Sequence, residues 1–172
     1  MDTNPILSDL AYDAAAGALL HKEVRYLLIR PETLIAIQKE AEARLGIEAA
    51  GELLYAGGFT GGRLSGQHYR EAHHLSAAEA VAFMCRMGSQ IGWGRFDLIE
   101  FDEPARRLRV DVYRSPFASA YGSGSTSGVC HLIRGVLGGL VGGLFGAEIR
   151  AVETECTARG DPACRFEVRV RE

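Results

Sequence analysis

The sequence carries no surplus of positive charge. Nineteen Lys and Arg face 22 Asp and Glu, for a net charge of -3 and a pI near 6.0. No general field then draws phosphate backbones to the chain, which argues against a free-standing nucleic-acid binder. The start, Met1-Asp2-Thr3-Asn4-Pro5, lacks the basic cluster and apolar run of a secretory signal, so a cytoplasmic protein is expected. Cysteine is scarce: Cys85, Cys130, Cys156 and Cys164 are the whole supply. Where thiols are kept reduced, such residues serve burial or metal binding rather than disulfides. The apolar run between Arg134 and Glu148 falls short of the roughly 20 residues that cross a bilayer, so no membrane span is expected. Neither a linker nor a long-period repeat interrupts the chain, and residues 1–172 read as one domain.

Hydrophobic spacing supplies the elements. Leu19-Leu20 and Val24 to Ile29 flank His21-Lys22-Glu23 and predict an opening hairpin. Pro31-Glu32 starts a helix in which Leu34, Ile37, Ala41 and Leu45 recur, with Gly46 as its stop. Ile47 to Leu64 continues helical, with glycines that imply close packing, and a polar loop holding His68, His73 and His74 follows. The adjacent pair His73 and His74 cannot by itself complete a zinc shell. Ser76 and Glu79 form a capping box for a helix reaching about Ile91. Within it Cys85, among Phe83, Met84 and Met87, reads as ordinary core.

After Gly92 the period becomes two. Phe96 to Phe101 and Leu108, Val110 and Val112 predict two antiparallel strands joined at Asp102-Glu103-Pro104. Ser115-Pro116 ends the second, and a loop leads to a glycine-rich helix from Ser127 to Phe145, apolar enough to be buried against a sheet. The last segment alternates Cys164, Phe166, Val168 and Val170 with charged residues, the signature of a half-buried strand. Ile149 to Cys156 is its partner.

A turn centred on Gly160 sets Cys156 opposite Cys164, within reach of one cation. Structural zinc takes four Cys, His or carboxylate ligands. Cys130 at the head of the glycine-rich helix is a third, with Glu153, Glu155 and His131 as candidates for the fourth. Strict alternation turns both glutamates away from the Cys156 face, so Glu153 requires a bulge before Cys156. Parity alone does not choose among them.

The segment Val152-Glu-Thr-Glu-Cys156-Thr-Ala-Arg-Gly-Asp-Pro-Ala-Cys164-Arg-Phe-Glu-Val168 resembles the C-terminal signature of the 4-vinyl reductase (hydrocarbon-binding) domain family. That family is related to the sensor domains of aromatic-responsive activators and to TRAPP subunits. The resemblance extends through Gly128-Val-Cys130 and Tyr113-Arg-Ser-Pro116 to Gly92-Trp-Gly94. It implies an α+β fold of the TRAPP and NO-signalling type: an antiparallel sheet with helices packed on one face. In the aromatic sensors a cysteine, a glutamate and two hairpin cysteines hold zinc, at intervals that here select Cys130, Glu153, Cys156 and Cys164.

The resemblance further implies a module that binds a hydrophobic, aromatic or tetrapyrrole ligand. Phe59, Phe83, Trp93, Phe96, Tyr113 and Phe117 are candidates for its pocket. No confident match exists for the histidine and tryptophan that hold phenolic ligands in the aromatic sensors. Two alternatives accompany this reading. One is reduction of a tetrapyrrole vinyl group, or an accessory role in bacteriochlorophyll biosynthesis, which the lack of a dinucleotide-binding glycine turn disfavours. The other is a homodimeric regulatory module that signals to a partner in trans.

Overall fold

The computed structural model describes residues 4–171; Met1–Thr3, part of the opening read above, and Glu172 lie outside them. A short helix, α1 (Pro5–Asp9), leads into a three-stranded antiparallel sheet of β1 (Leu10–Asp13), β2 (Ala18–His21) and β3 (Val24–Tyr26), in that order. The expected hairpin is β2–β3, turned at Lys22 and Glu23. Both adopt positive φ, 47° and 69°, matching the twist that two-residue hairpins need. β1 gave no sequence signal, because its residues are mostly exposed and do not alternate.

Three helices follow: α2 (Pro31–Leu45), α3 (Ile47–Ala72) and α4 (Ala77–Gln90). α2 stops at Gly46, φ 85°, and α4 opens with the Ser76–Glu79 capping box, both as the sequence predicts. The buried face of α2 differs from the expected one. Ile35 and Gln38 are buried, whereas Ile37 and Leu45 are more than half exposed. Gln38 is satisfied inside, its Nε2 donating to Glu42 and to the Val129 carbonyl, so a polar residue takes a core position that spacing assigns to an aliphatic one. α3 is longer than expected and includes His68, which the sequence pattern assigns to a loop.

The second sheet holds β4 (Arg95–Asp102), β5 (Arg107–Tyr113), β6 (Ile149–Glu155) and β7 (Cys164–Val170), all antiparallel in the order β4-β5-β7-β6. Leu108, Val110, Val112, Phe166 and Val168 form its fully buried inner face. The opposite face is charged. Asp111 is buried there because Arg165 grips both its oxygens at 2.8 Å, a forked pairing that satisfies the carboxylate. Ser115-Pro116 does more than end β5: Ser115 caps a further helix, α5 (Pro116–Tyr121). The glycine-rich helix, α6 (His131–Phe145), starts four residues later than expected, with Cys130 as its N-cap.

α6 lies between the second sheet and α3, buried on both sides, as its nearly uniform apolar character requires. Among the described residues no helix is long and apolar enough to cross a membrane. Gly58 of α3 meets Gly135 of α6 backbone to backbone; a methyl at Gly139 would overlap the Phe59 carbonyl, and one at Gly62 the Val136 carbonyl. Each glycine costs about 1 kcal/mol of helix propensity, which the close contact of two backbones offsets through dispersion. Gly139→Ala is therefore expected to destabilise the protein by about 1–3 kcal/mol in urea unfolding, against its helix propensity, because overpacking outweighs the propensity gain. A more stable variant would show that the helices have room to separate.

Candidate metal centre and apolar cavity

Ligand atoms of Cys130, Glu153, Cys156 and Cys164 all lie within 4.8 Å of one another. Three parts of the chain bring them together. Cys130 arrives at the N-terminus of α6, and Glu153 enters from β6. Cys156 and Cys164 close the hairpin beyond the Glu155↔Arg165 pair, with Gly160 at φ 101° in the loop between them. The register of β6 against β7 shifts between Glu153 and Glu155. Glu153, opposite Phe166, shares the inner face with Ala151, and the bulge brings Cys156 onto that same face, as a glutamate in the fourth-ligand position requires. Glu155 instead faces outward and pairs with Arg165 at 2.6 Å. The imidazole of His131 lies over Gly51 of α3, and Cys85 stays in the core of α4, its thiol pushed up to about 12 by burial.

The spacing suits a tetrahedral cation. Cys164 Sγ is 3.7 Å from Cys130 Sγ and 3.9 Å from Cys156 Sγ. A zinc–sulfur bond of about 2.3 Å gives a tetrahedron edge of about 3.8 Å. Glu153 offers a free lone pair: Oε2 accepts the Cys130 N–H at 2.9 Å, while Oε1 is buried with no hydrogen-bond partner. Gly128 makes this approach possible, since a Cβ there would press on the Glu153 carboxylate. The carboxylate also lies at the positive end of α6.

Outer contacts hold the sulfurs. Ser115 Oγ lies 3.3 Å from Cys130 Sγ, and the Thr157 N–H donates to Cys164 Sγ at 3.4 Å. Asp161 accepts the Cys156 N–H at 2.8 Å, fixing the hairpin loop. Four acidic groups this close cannot all ionise without a cation. Hydrogen bonding with Cys130, Cys156 and Thr157 holds Cys164 well below the usual thiol range, whereas the neighbouring sulfurs and burial hold Cys130 well above it. Burial, with the nearby Cys156, raises Glu153 to about 8. The set as a whole fits a divalent ion.

An apolar cavity of about 510 Å³ lies elsewhere, between the three-stranded sheet and the helices. Ile6, Leu19, Leu34, Ile91, Trp93 and Phe117 supply much of its lining, with His21, Tyr26, Arg30 and Gln90 as polar members. His21 and Tyr26 share a buried partner: Tyr69 OH is 3.1 Å from His21 Nδ1 and 2.8 Å from Tyr26 OH. Of the six aromatic residues predicted to line a pocket, Trp93 and Phe117 do, packed edge to face. The other four do not. Phe59 fills the space left by Gly142 between α3 and α6, and Phe83 packs on Tyr69. Phe96 covers Gly88 of α4, and Tyr113 faces outward beneath Arg95. Sequence reasoning missed the N-terminal wall, for which the run Leu27-Leu28-Ile29, exposed despite its apolarity, was the available sign.

Residues 108–170 match the profile of the 4-vinyl reductase domain. The likeness to that family thus rests on 63 of the 172 residues. The match spans all four cluster residues, but of the cavity lining it includes Pro116 and Phe117 alone. The fold of the chain is similar to that of the phenol-responsive sensory domain of the transcription activator PoxR with phenol: TM-score 0.84, 20% identity, covering 96% of this chain and 87% of that one. It also resembles trafficking protein particle complex subunit 3 from Naegleria fowleri, covalently bound to palmitic acid (TM-score 0.58, 12% identity, 83% and 95% covered). A vinyl-4-reductase family protein from Methanocaldococcus jannaschii aligns less fully (TM-score 0.51, 18% identity, 69% and 68% covered). Among curated proteins none matches the chain significantly. These likenesses establish the fold shared by 4-vinyl reductase domains and TRAPP subunits.

Because Cys130 and Glu153 are held protonated at neutral pH, zinc uptake by the metal-free protein is expected to release at least two protons per ion. Calorimetry in two buffers of different ionisation enthalpy reads this number. Affinity should fall as pH is lowered, since protons compete for the same atoms. Cys156→Ser should lose stoichiometric zinc and melt at lower temperature; a variant unchanged in both would rule the cluster out as a metal site.

Proposed function

We propose that this chain is a small-molecule-binding sensor domain that admits a hydrophobic ligand to the cavity beneath its three-stranded sheet. In this reading zinc, held by Cys130, Glu153, Cys156 and Cys164, pins the terminal hairpin to α6. The cavity carries the proposal: about 510 Å³, mainly apolar, with a few polar side chains in its wall, the usual character of small-molecule sites. Zinc would supply a cross-link and neutralise the thiolates and carboxylate. Three sulfurs and one oxygen complete a tetrahedral shell, so its role is structural. Nothing in the cavity lining favours vinyl reduction over binding.

Fluorescence of N-phenyl-1-naphthylamine, a neutral apolar probe, tests the cavity. The probe is expected to brighten on binding, and Leu19→Arg to weaken it about tenfold, ~1.4 kcal/mol. Failure to bind, or equal binding by the variant, would remove the cavity from the proposal.

A homodimer belongs to the same reading. Leu53, Gly57, Thr60 and Leu64 share one exposed face of α3, and nothing lies within 4 Å of a Cβ built at Gly57. A close helix partner would offset the propensity that an exposed glycine loses. Sedimentation velocity should show a dimer that Gly57→Glu converts to monomer; a monomeric parent protein would end that part of the reading.

A further inference from the structure

The cavity and the four-residue cluster are joined by the two helices that wall the cavity. On one side, Pro31 and Leu34 of α2 line it. One turn further on, Gln38, 4% exposed, donates to the carbonyl of Val129, the residue before Cys130. On the other side, Pro116 and Phe117 of α5 line the cavity. Immediately before them Ser115, 1% exposed, accepts the Ala118 N–H as N-cap, and its Oγ lies 3.3 Å from Cys130 Sγ. The two helices are also tied to each other. Lys39 donates to the Tyr121 carbonyl at 2.8 Å, and the Tyr121 hydroxyl donates to Glu42 at 2.9 Å. Arg114, which leads β5 into this junction, has φ 54°, a left-handed conformation that a non-glycine residue holds only under constraint from its surroundings.

We propose that occupancy of the apolar cavity is transmitted to the Cys130, Glu153, Cys156 and Cys164 cluster through Ser115 and Gln38, making the cluster the output end of the sensor. The inference rests on the cavity reading above. A ligand that presses on Leu34 and Phe117 moves α2 and α5 together, because packed helices shift as units. Both contacts converge on Cys130, so the displacement alters how that sulfur is held. Outer hydrogen bonds of this kind tune the orientation and affinity of a metal ligand. Ser115 and Gln38 are positioning residues, acting through Cys130. Linkage makes the effect reciprocal: a bound cation changes the affinity of the cavity by the same factor that a bound ligand changes the affinity of the cluster.

The test uses the full chain loaded with cobalt(II), whose thiolate charge-transfer bands report the sulfur environment, and N-phenyl-1-naphthylamine as the cavity probe. The bands are expected to shift over the same probe concentrations that raise probe fluorescence. In the zinc-loaded protein, probe saturation should change zinc affinity, measured by chelator competition, by about fivefold or more. Ser115→Ala should diminish both responses, and Ser115→Thr, which keeps the hydroxyl, should restore them. Gln38→Ala, which leaves the α5 cap in place, carries the test if Ser115→Ala does not fold. Probe binding with unchanged bands and unchanged zinc affinity overturns the coupling and leaves the cavity reading standing. No probe binding overturns both, and full responses in both Ser115→Ala and Gln38→Ala overturn the assigned route.

Discussion

Four acidic side chains packed within 4.8 Å of one another, in a largely buried place, set the terms for the rest of this structure. Like groups so close repel when ionised and lose solvation when buried. Their convergence therefore needs compensation, and the surrounding chain provides it. The α6 N-terminus faces the Glu153 carboxylate, Thr157 donates to the Cys164 sulfur, and Gly128 leaves the room the carboxylate needs. The bulge at residue 154 is part of the same requirement: Glu153 continues the inner-face alternation of Ile149 and Ala151, and the extra residue brings Cys156 onto that face as well.

The cluster also explains why α6 is built as it is. Cys130 must reach the hairpin from the head of a helix buried between the sheet and α3. Large side chains on that helix would hold the layers apart. Glycines at 135 and 139 of α6 and at 58 and 62 of α3 let the two helices approach to backbone contact. The helix then gains its stability from tertiary packing rather than propensity, so the glycine-rich segment and the geometry of the four-residue cluster are two aspects of one arrangement.

The cavity is built from different material. Most of its lining precedes the 4-vinyl reductase match, in the N-terminal sheet, the Leu27–Ile29 segment and the turn before β4. Cluster and cavity meet at α5, where Ser115 touches the cysteine and its two successors face the cavity. A domain organised this way can keep its cysteine–glutamate cluster while its cavity wall varies, because the N-terminal wall is assembled from short strands and a connecting segment rather than from the layered core.

By itself the sequence determined what depends on local chemistry and short spacing. The capping box of α4, the Gly46 stop of α2, the alternation of β5 and β7 and the Gly160 turn were readable because each rests on a few neighbouring residues. Parity alone left Glu153, Glu155 and His131 as open candidates. Resemblance selected Glu153, and only the tertiary structure showed the bulge that puts it on one face with Cys156, since a register shift depends on the partner strand. The same distinction separates Trp93 and Phe117 from Phe59, Phe83, Phe96 and Tyr113. An aromatic side chain carries the same burial drive wherever it lies, and which cavity it faces depends on long-range packing that no local pattern encodes.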